Sequence, residues 1–336
     1  LELLVEEITL IQQGREAELP RPVPFRGYVA QARLGVSRAE HEAFFGAMLG
    51  DVDEPTAPFG LLDVQGDGTR VREARARLDA GLSRRLRAEA QRHGVSAATL
   101  FHLAWALVLA KATGKDDVVF GTVLFGRMDG GEGAGRALGL FINTLPVRMR
   151  LGARDLRACL AGMHEALTRL LQHEHARLSL AQRCSGLQGG APLFSAMLNY
   201  RYAPRREAGP DAAEGMGWDG VRVLASEERT NYPVTLSVDD LGEGFELAAQ
   251  IHEEVDARRV CGYVLAALEG VVQALAADDG RPAALAADLV PMPAAEREAL
   301  EAWGTNARRH DAVPPVHRQI ELQARRTPQA VALVFG

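Results

Sequence analysis

An α/β sandwich, with helices packed on a sheet of moderate size, is the fold class that the sequence predicts. Three observations carry it. Strand-like and helix-like segments alternate along the chain, several of the helices are long, and one of them is apolar almost all round. The 336 residues suffice for one large domain or two ordinary ones, and a composition 47% hydrophobic and 24% charged is that of a globular protein.

Residues 1–13, LELLVEEITLIQQ, read as the end of an amphipathic helix, closed by Gly14 and released by LPRPVP. FRGYVAQARLG follows. Ser37 and Glu40 then stand at capping-box spacing before HEAFFGAML, which predicts a helix over about 38–49. A loop rich in Asp, Pro and Gly covers 50–69, and 71–78 alternates weakly as a strand. Two helices fill 80–112. The first repeats Leu82, Leu86 and Ala90 at i+4 and stops at Gly94; Ser96 caps the second, AATLFHLAWALVLAKAT, whose apolar surface requires burial. DVVFGTVL, 117–124, is a buried strand after a turn at Gly114-Lys115, and a glycine-rich loop spans 126–135.

The stretch GLFINTLPVRMR, 139–150, alternates at period two. One row holds Phe141, Asn143, Leu145, Val147 and Met149; the other holds Leu140, Ile142, Thr144, Pro146, Arg148 and Arg150. Asn143 falls in the row that otherwise reads as core. A side-chain amide there needs hydrogen-bond partners, or it faces a cavity. Beyond it, Leu156, Cys159, Leu160, Met163, Leu167, Leu170 and Leu171 line one face of a helix over 155–173. LFSAMLNYRY reads as a strand, 206–220 as a Gly- and Asp-rich insert, and 232–239 and 244–251 as two strands joined by DDLGEG. A helix over 256–277 completes the lobe, and from 280 the texture becomes that of a linker with a short helix.

The totals exclude some functions. A net charge of −6 argues against nucleic acid as a main partner, since backbone recognition needs clustered positive charge. Cys159, Cys184 and Cys261 are odd in number and far apart, without metal spacing or a disulfide framework, so a cytoplasmic location is expected. No apolar run reaches spanning length and no signal pattern opens the chain, so no membrane partner is expected. Leu1 falls inside a helix-like run, and a piece of a longer protein is expected.

Most chemistry-bearing residues have plainer readings. The loop GRMDGGEGAGRALG lacks the Gly-Lys-Ser/Thr ending of a phosphate loop and leads into a strand. His164-Glu165 has Thr168, not histidine, at the zinc-ligand position. His173 and His175 flank Glu174 at a helix end and read as structural or solvated; His102 reads as a satisfied core histidine. Cys184-Ser185 lies in no nucleophile signature, and the acidic pairs 116–117, 239–240 and 253–254 read as turns and solvated faces. No metal site and no complete catalytic constellation emerge. Asn143, Arg127 and the tyrosines of LNYRY stand where a groove could run.

Taken together, FRGYVAQ, DVVFGTVLFGR, LGLFINTLPVR, HEHARLSLAQ and APLFSAMLNYR resemble, in order, the condensation domain of nonribosomal peptide synthetases. Gly139, Phe141, Ile142, Asn143, Thr144 and Arg148 match its strand motif, and Pro192, Leu193 and Phe194 its Pro-Leu-Phe motif. The tail VHRQIELQARRTPQAVALVFG resembles the opening of an adenylation domain.

The resemblance implies a chloramphenicol acetyltransferase-like two-layer α/β sandwich, one lobe of a pseudo-dimeric V with a tunnel between the lobes. It divides the chain into the end of the N-terminal lobe and a crossover (1–24), the C-terminal lobe (25–280), a linker (281–315) and the start of an adenylation domain (316–336). The implied reaction joins a carrier-bound thioester to a carrier-bound amine, both on phosphopantetheine arms, with no cofactor bound to this chain directly. The family's His-His-x-x-x-Asp-Gly motif belongs to the other lobe, and no His-His pair occurs here, so no catalytic residue is assigned. Asn143, Thr144, Arg127, Arg148, Tyr28 and Tyr200 are the tunnel-lining candidates; for Asn143 a bond to neighbouring backbone is the alternative. Upstream and downstream carrier domains, the N-terminal lobe and an adenylation domain are the implied partners. A non-catalytic carrier-docking module is the rival reading. Phe25-Arg26-Gly27-Tyr28 departs from the family's Tyr-x-Asp-Tyr/Phe at its acidic position, while EERTNYPVTLSVDDLG and HEHARLSLAQRCSG resemble most the subgroup that both epimerises and condenses.

Overall fold

The computed structural model describes residues 2–125, 136–188, 190–202, 230–277, 284–306 and 314–335. The loop at 126–135, with Arg127, and the insert at 206–220 lie outside them. Two compact units divide the chain, residues 1–293 and 294–336.

The first unit begins with α1 (Glu2–Gln12), α2 (Phe25–Leu34) and α3 (Arg38–Leu49). The capping box forms as spaced: Ser37 accepts from the Glu40 N–H, and the Glu40 carboxylate accepts from the Ser37 N–H at 2.8 Å. β1 (Val71–Arg77), α4 (Ala80–Arg92), α5 (Ala97–Thr113), β2 (Asp117–Phe125) and β3 (Ile142–Arg150) follow. Then come α6 (Leu156–Leu171), α7 (Leu178–Arg183), β4 (Ala196–Tyr202), β5 (Val234–Asp240), β6 (Phe245–His252) and α8 (Ala257–Ala276). The sequence assigned no element to α2 or α7. Asp79, Ser96, Asp155 and Asp256 cap α4, α5, α6 and α8, each accepting a backbone N–H from the first turn.

Six strands form one sheet in the order β1-β6-β5-β4-β2-β3. β2, β4 and β5 run parallel; β3, β6 and β1 are antiparallel to their neighbours. The registers place Leu247 and Ala249 of β6, Leu236 of β5, Leu198 of β4, Phe120 of β2, and Leu145 and Val147 of β3 on one face, all buried. That face carries the helices. α5 lies between α6 and α8, with α4 beside it, and is buried continuously from Thr99 to Ala110. Its one imidazole is satisfied: His102 bonds the Ala98 carbonyl at 2.7 Å and Thr122 Oγ1 at 2.8 Å, and burial pushes its pKa down to about 4. The opposite face is more polar, with Thr235, Ser237 and Gln250 buried among small residues.

One expectation is corrected. α8 has twenty residues and is apolar enough to cross a membrane by length and composition. Its apolar stripe, from Val260 through Val264 and Leu268 to Leu275, is buried against the lobe instead.

The boundary between units falls inside the stretch expected as linker. Its first described residues belong to the first unit: the Leu156 N–H donates to the Ala284 carbonyl at 2.9 Å, and Ala286 is fully buried. The second unit holds α9 (Ala294–Gly304) and α10 (Val316–Arg326), neither with a buried residue.

Candidate functional site

Open α/β sheets bind ligands beyond the carboxyl ends of their parallel strands. Here those ends are Phe125, Tyr202 and Asp240, and β3 starts beside them at Ile142, the register partner of Phe125. Phe125, Leu140, Ile142 and Tyr202 are exposed there and form an apolar rim.

Behind this rim the strand motif organises a turn. Asn143 donates both amide hydrogens, to the carbonyls of Glu174 and Ala176, each at 2.7 Å, and its Oδ1 accepts from the Thr144 N–H at 3.0 Å. The amide has no hydrogen left to give. Asn143 thus has the backbone partners that one of its two sequence readings requires.

Two helices clamp the same turn from the other side. Tyr28 on α2 packs edge-on against Phe141 (4.5 Å between centroids) and His175 (5.2 Å), its hydroxyl 3.5 Å from His175 Nδ1. Phe25 meets Phe141 edge-on at 5.2 Å. A Cβ on residue 139 would stand 2.1 Å from the Phe25 ring, so the motif's glycine is the space that this ring occupies. On α3, His41 Nδ1 lies 2.9 Å from His173 Nδ1, and Phe44 stacks on His173 at 4.0 Å.

Burial foremost lowers the pKa of both histidines of that pair from the ordinary imidazole value. Burial, and then the charge of Glu174, push the Tyr28 hydroxyl up, away from ionisation. His173 and His175, which the sequence reads as structural or solvated, pack here against Phe44 and Tyr28. His41 was missed, although its place four residues before Phe45 and eight before Leu49, on the buried face of α3, was available as a signal.

The other candidates lie elsewhere. Arg148 sits toward the far end of β3, its side chain 7% exposed. It binds Asp117 in a fork (Nε 2.9 Å, Nη2 2.6 Å), with Nη1 on Asp51 and on the Met48 carbonyl. Those two carboxylates keep its pKa above the ordinary arginine value. Tyr200 donates to Asp240 at 2.6 Å, and Arg87 binds the same carboxylate while lying over the Phe245 ring. Burial foremost raises the Tyr200 pKa. So the fold brings Tyr28, Asn143 and Thr144 together and leaves Arg148 and Tyr200 as separate anchors. Among the described residues no three His, Cys, Asp or Glu side chains group to hold a metal ion.

A family model described as the condensation domain matches residues 1–288. Malpinin synthetase of Mortierella alpina is 43% identical over 337 aligned residues, covering all of this chain and 4% of the synthetase. A crystal structure of the nonribosomal peptide synthetase FmoA3 superposes with a TM-score of 0.69 at 18% identity, covering 98% of this chain and 35% of that one. The first condensation domain of the CDA synthetase gives 0.63 at 20% identity, covering 86% and 63%. The chain therefore spans a small part of its curated relative, and the solved structures match it in fold.

Proposed function

The chain belongs to the condensation-domain family of nonribosomal peptide synthetases, and from that premise we propose that it is one wall of a peptide-bond-forming tunnel. In the reaction proposed, the amine nitrogen of a downstream carrier-bound aminoacyl group attacks the carbonyl carbon of an upstream carrier-bound acyl or peptidyl thioester. The C–N bond forms, the C–S bond breaks, and the upstream phosphopantetheine thiol leaves with the proton. The carriers, the N-terminal lobe and the adenylation domain are the proposed partners, and the cytoplasm the proposed compartment.

The observation that carries this reading is the exposed apolar rim at the carboxyl ends of β2 and β4, backed by the clamped turn. Tyr28 and Thr144, both half-buried, are the proposed tunnel-lining residues, with Arg127 proposed on sequence grounds alone. Asn143, Arg148 and Tyr200 hold the wall from behind. The exposed apolar side of α1, with Leu4 and Ile11, supports packing against an N-terminal lobe.

Residues 316–336 are proposed as the start of an adenylation domain. That proposal rests on the likeness of VHRQIELQARRTPQAVALVFG to such an opening. An additional epimerising activity is proposed from the likeness of EERTNYPVTLSVDDLG and HEHARLSLAQRCSG to that subgroup.

The test joins this chain to its upstream lobe and supplies two loaded carriers, with the amide product followed by mass spectrometry. Product is expected with both lobes and none with this chain alone. Amide formation by this chain alone would refute the division of labour.

A further inference from the structure

On the flank of the lobe, away from the apolar rim, a groove runs between α3 and α6 with a cavity of about 230 Å³. Every charged side chain lining it is an arginine: Arg148, Arg150, Arg154 and Arg169. That is unexpected in a chain of net charge −6. Arg148 and Arg150 are committed to Asp51 and Asp117. Arg154 and Arg169 are not held so. Arg154 makes one long bond, 3.4 Å, to the Ala158 carbonyl, and Arg169, 56% exposed, stays 3.8 Å from Glu165. Both keep donors for another anion.

The walls are low. Ala47 on α3, and Gly162 and Ala166 on α6, face the opening, while Met48 supplies an apolar floor beside Phe44, whose ring stacks on His173 and has the Arg169 guanidinium 5.5 Å from its centroid. A Cβ on residue 162 would meet only the Arg154 guanidinium, at 3.5 Å, so the chain's own packing leaves room for a side chain there. We infer that this groove receives an acidic amphipathic helix of a partner protein.

Spacing defines the recognition element. The Arg154 guanidinium lies beside Gly162, and Arg169 stands seven residues on, about 10 Å along the α6 axis. A partner helix meets both with carboxylates at i and i+7, and sends an apolar side chain from i+3 or i+4 onto Met48. Charge complementarity selects such a helix over a basic or neutral one of equal hydrophobicity. The inference is independent of the tunnel reading, since it uses neither the rim nor the clamped turn.

The experiment titrates the full chain with short labelled helical peptides and reads fluorescence anisotropy. The first probe carries Glu at i and i+7 with Leu at i+3 and i+4; the second has the same composition with the Glu residues moved to the opposite face. The third carries Lys in place of Glu. The first should bind at least about tenfold tighter than the other two. Arg154→Glu with Arg169→Glu should reverse the preference, so that the Lys peptide binds the variant better than the Glu peptide does. Gly162→Leu, which fills the groove without altering charge, should weaken the first peptide on a chain that melts no lower than the parent. Equal binding of the two Glu isomers, or a double variant that keeps the Glu preference, overturns the inference. So does a concentration-dependent dimer that the double variant abolishes while no peptide binds, which would assign the groove to a second copy.

Discussion

The two edges of the sheet use arginine in opposite ways. On β1 and just before it, Arg70, Arg72, Arg75 and Arg77 pair with glutamates on β6, just beyond it and on β1 itself, as in Arg77–Glu246 at 2.7 Å and Arg72–Glu253 at 2.9 Å. The side chains of these arginines are 55–69% exposed. Such pairs are screened and contribute little to stability; their value is to charge an edge that would otherwise invite another strand. On β3, Arg148 is nearly buried between two carboxylates and a backbone carbonyl, and Asn143 ties the other end of the strand to the 174–176 turn. Residue type and edge position are shared. Burial decides that one edge is decorated and the other is fastened.

The largest expected effect lies between the edges and sets the scale. His102 is neutral when folded, with a pKa near 4, against about 6.5 in an unfolded chain. The native state then binds fewer protons than the unfolded state between those values, so stability is lost as pH falls from 6.5 to 4 and is flat below. Denaturant titrations should show a loss of about 3 kcal/mol across that window, and His102→Gln should flatten it. On the fastened edge, Asn143→Ala strands two buried carbonyls and should cost about 2–3 kcal/mol. Hydrogen exchange should quicken at 173–176, and protection equal to the parent's would break the comparison. At the same strand's far end, Arg148→Ala removes the fork on Asp117 and the donor to the Met48 carbonyl, leaves only Arg150 between Asp51 and Asp117, and should cost about 2 kcal/mol in denaturant.

Gly139 and Phe25 sharpen the picture. Gly139→Ala drives a methyl into the ring, whereas in a Phe25→Ala background the same change is nearly silent; the double-mutant cycle should give a coupling of about 1 kcal/mol. The smallest effect belongs to the decorated edge. Arg75→Ala should change stability by under about 0.5 kcal/mol. That change should vanish near 1 M salt, where screening acts within about 3 Å, while the loss at Arg148 largely survives.

How far the sequence discloses this can be judged residue by residue. Caps and rows are local, so Ser37 with Glu40, Ser96, and the alternation of β3 are legible and fold as spaced. The family resemblance, carried by five motifs in order, is borne out by the condensation-domain match and by the α/β fold of the solved relatives. What stays hidden depends on distance. The His41–His173 pair joins residues 132 apart, and Arg148 finds Asp51 97 residues away. No window along the chain contains both partners. α7 escapes for a different reason: it has six residues, and Arg177 at its N-cap position makes no side-chain cap. Asn143 lies between these cases. Its row position announces that the amide needs partners, and only the folded turn supplies them.

The sheet order has a consequence for synthesis. β1 pairs with β6 from Val71↔His252 to Arg77↔Glu246, so the first made of these six strands is matched by the last. At the usual pace of translation, the VREARAR segment waits roughly ten to thirty seconds for its partner to emerge. An apolar strand would spend that interval searching for any exposed edge. A strand carrying three arginines and one glutamate among two alanines and a valine stays hydrated until its own neighbour arrives.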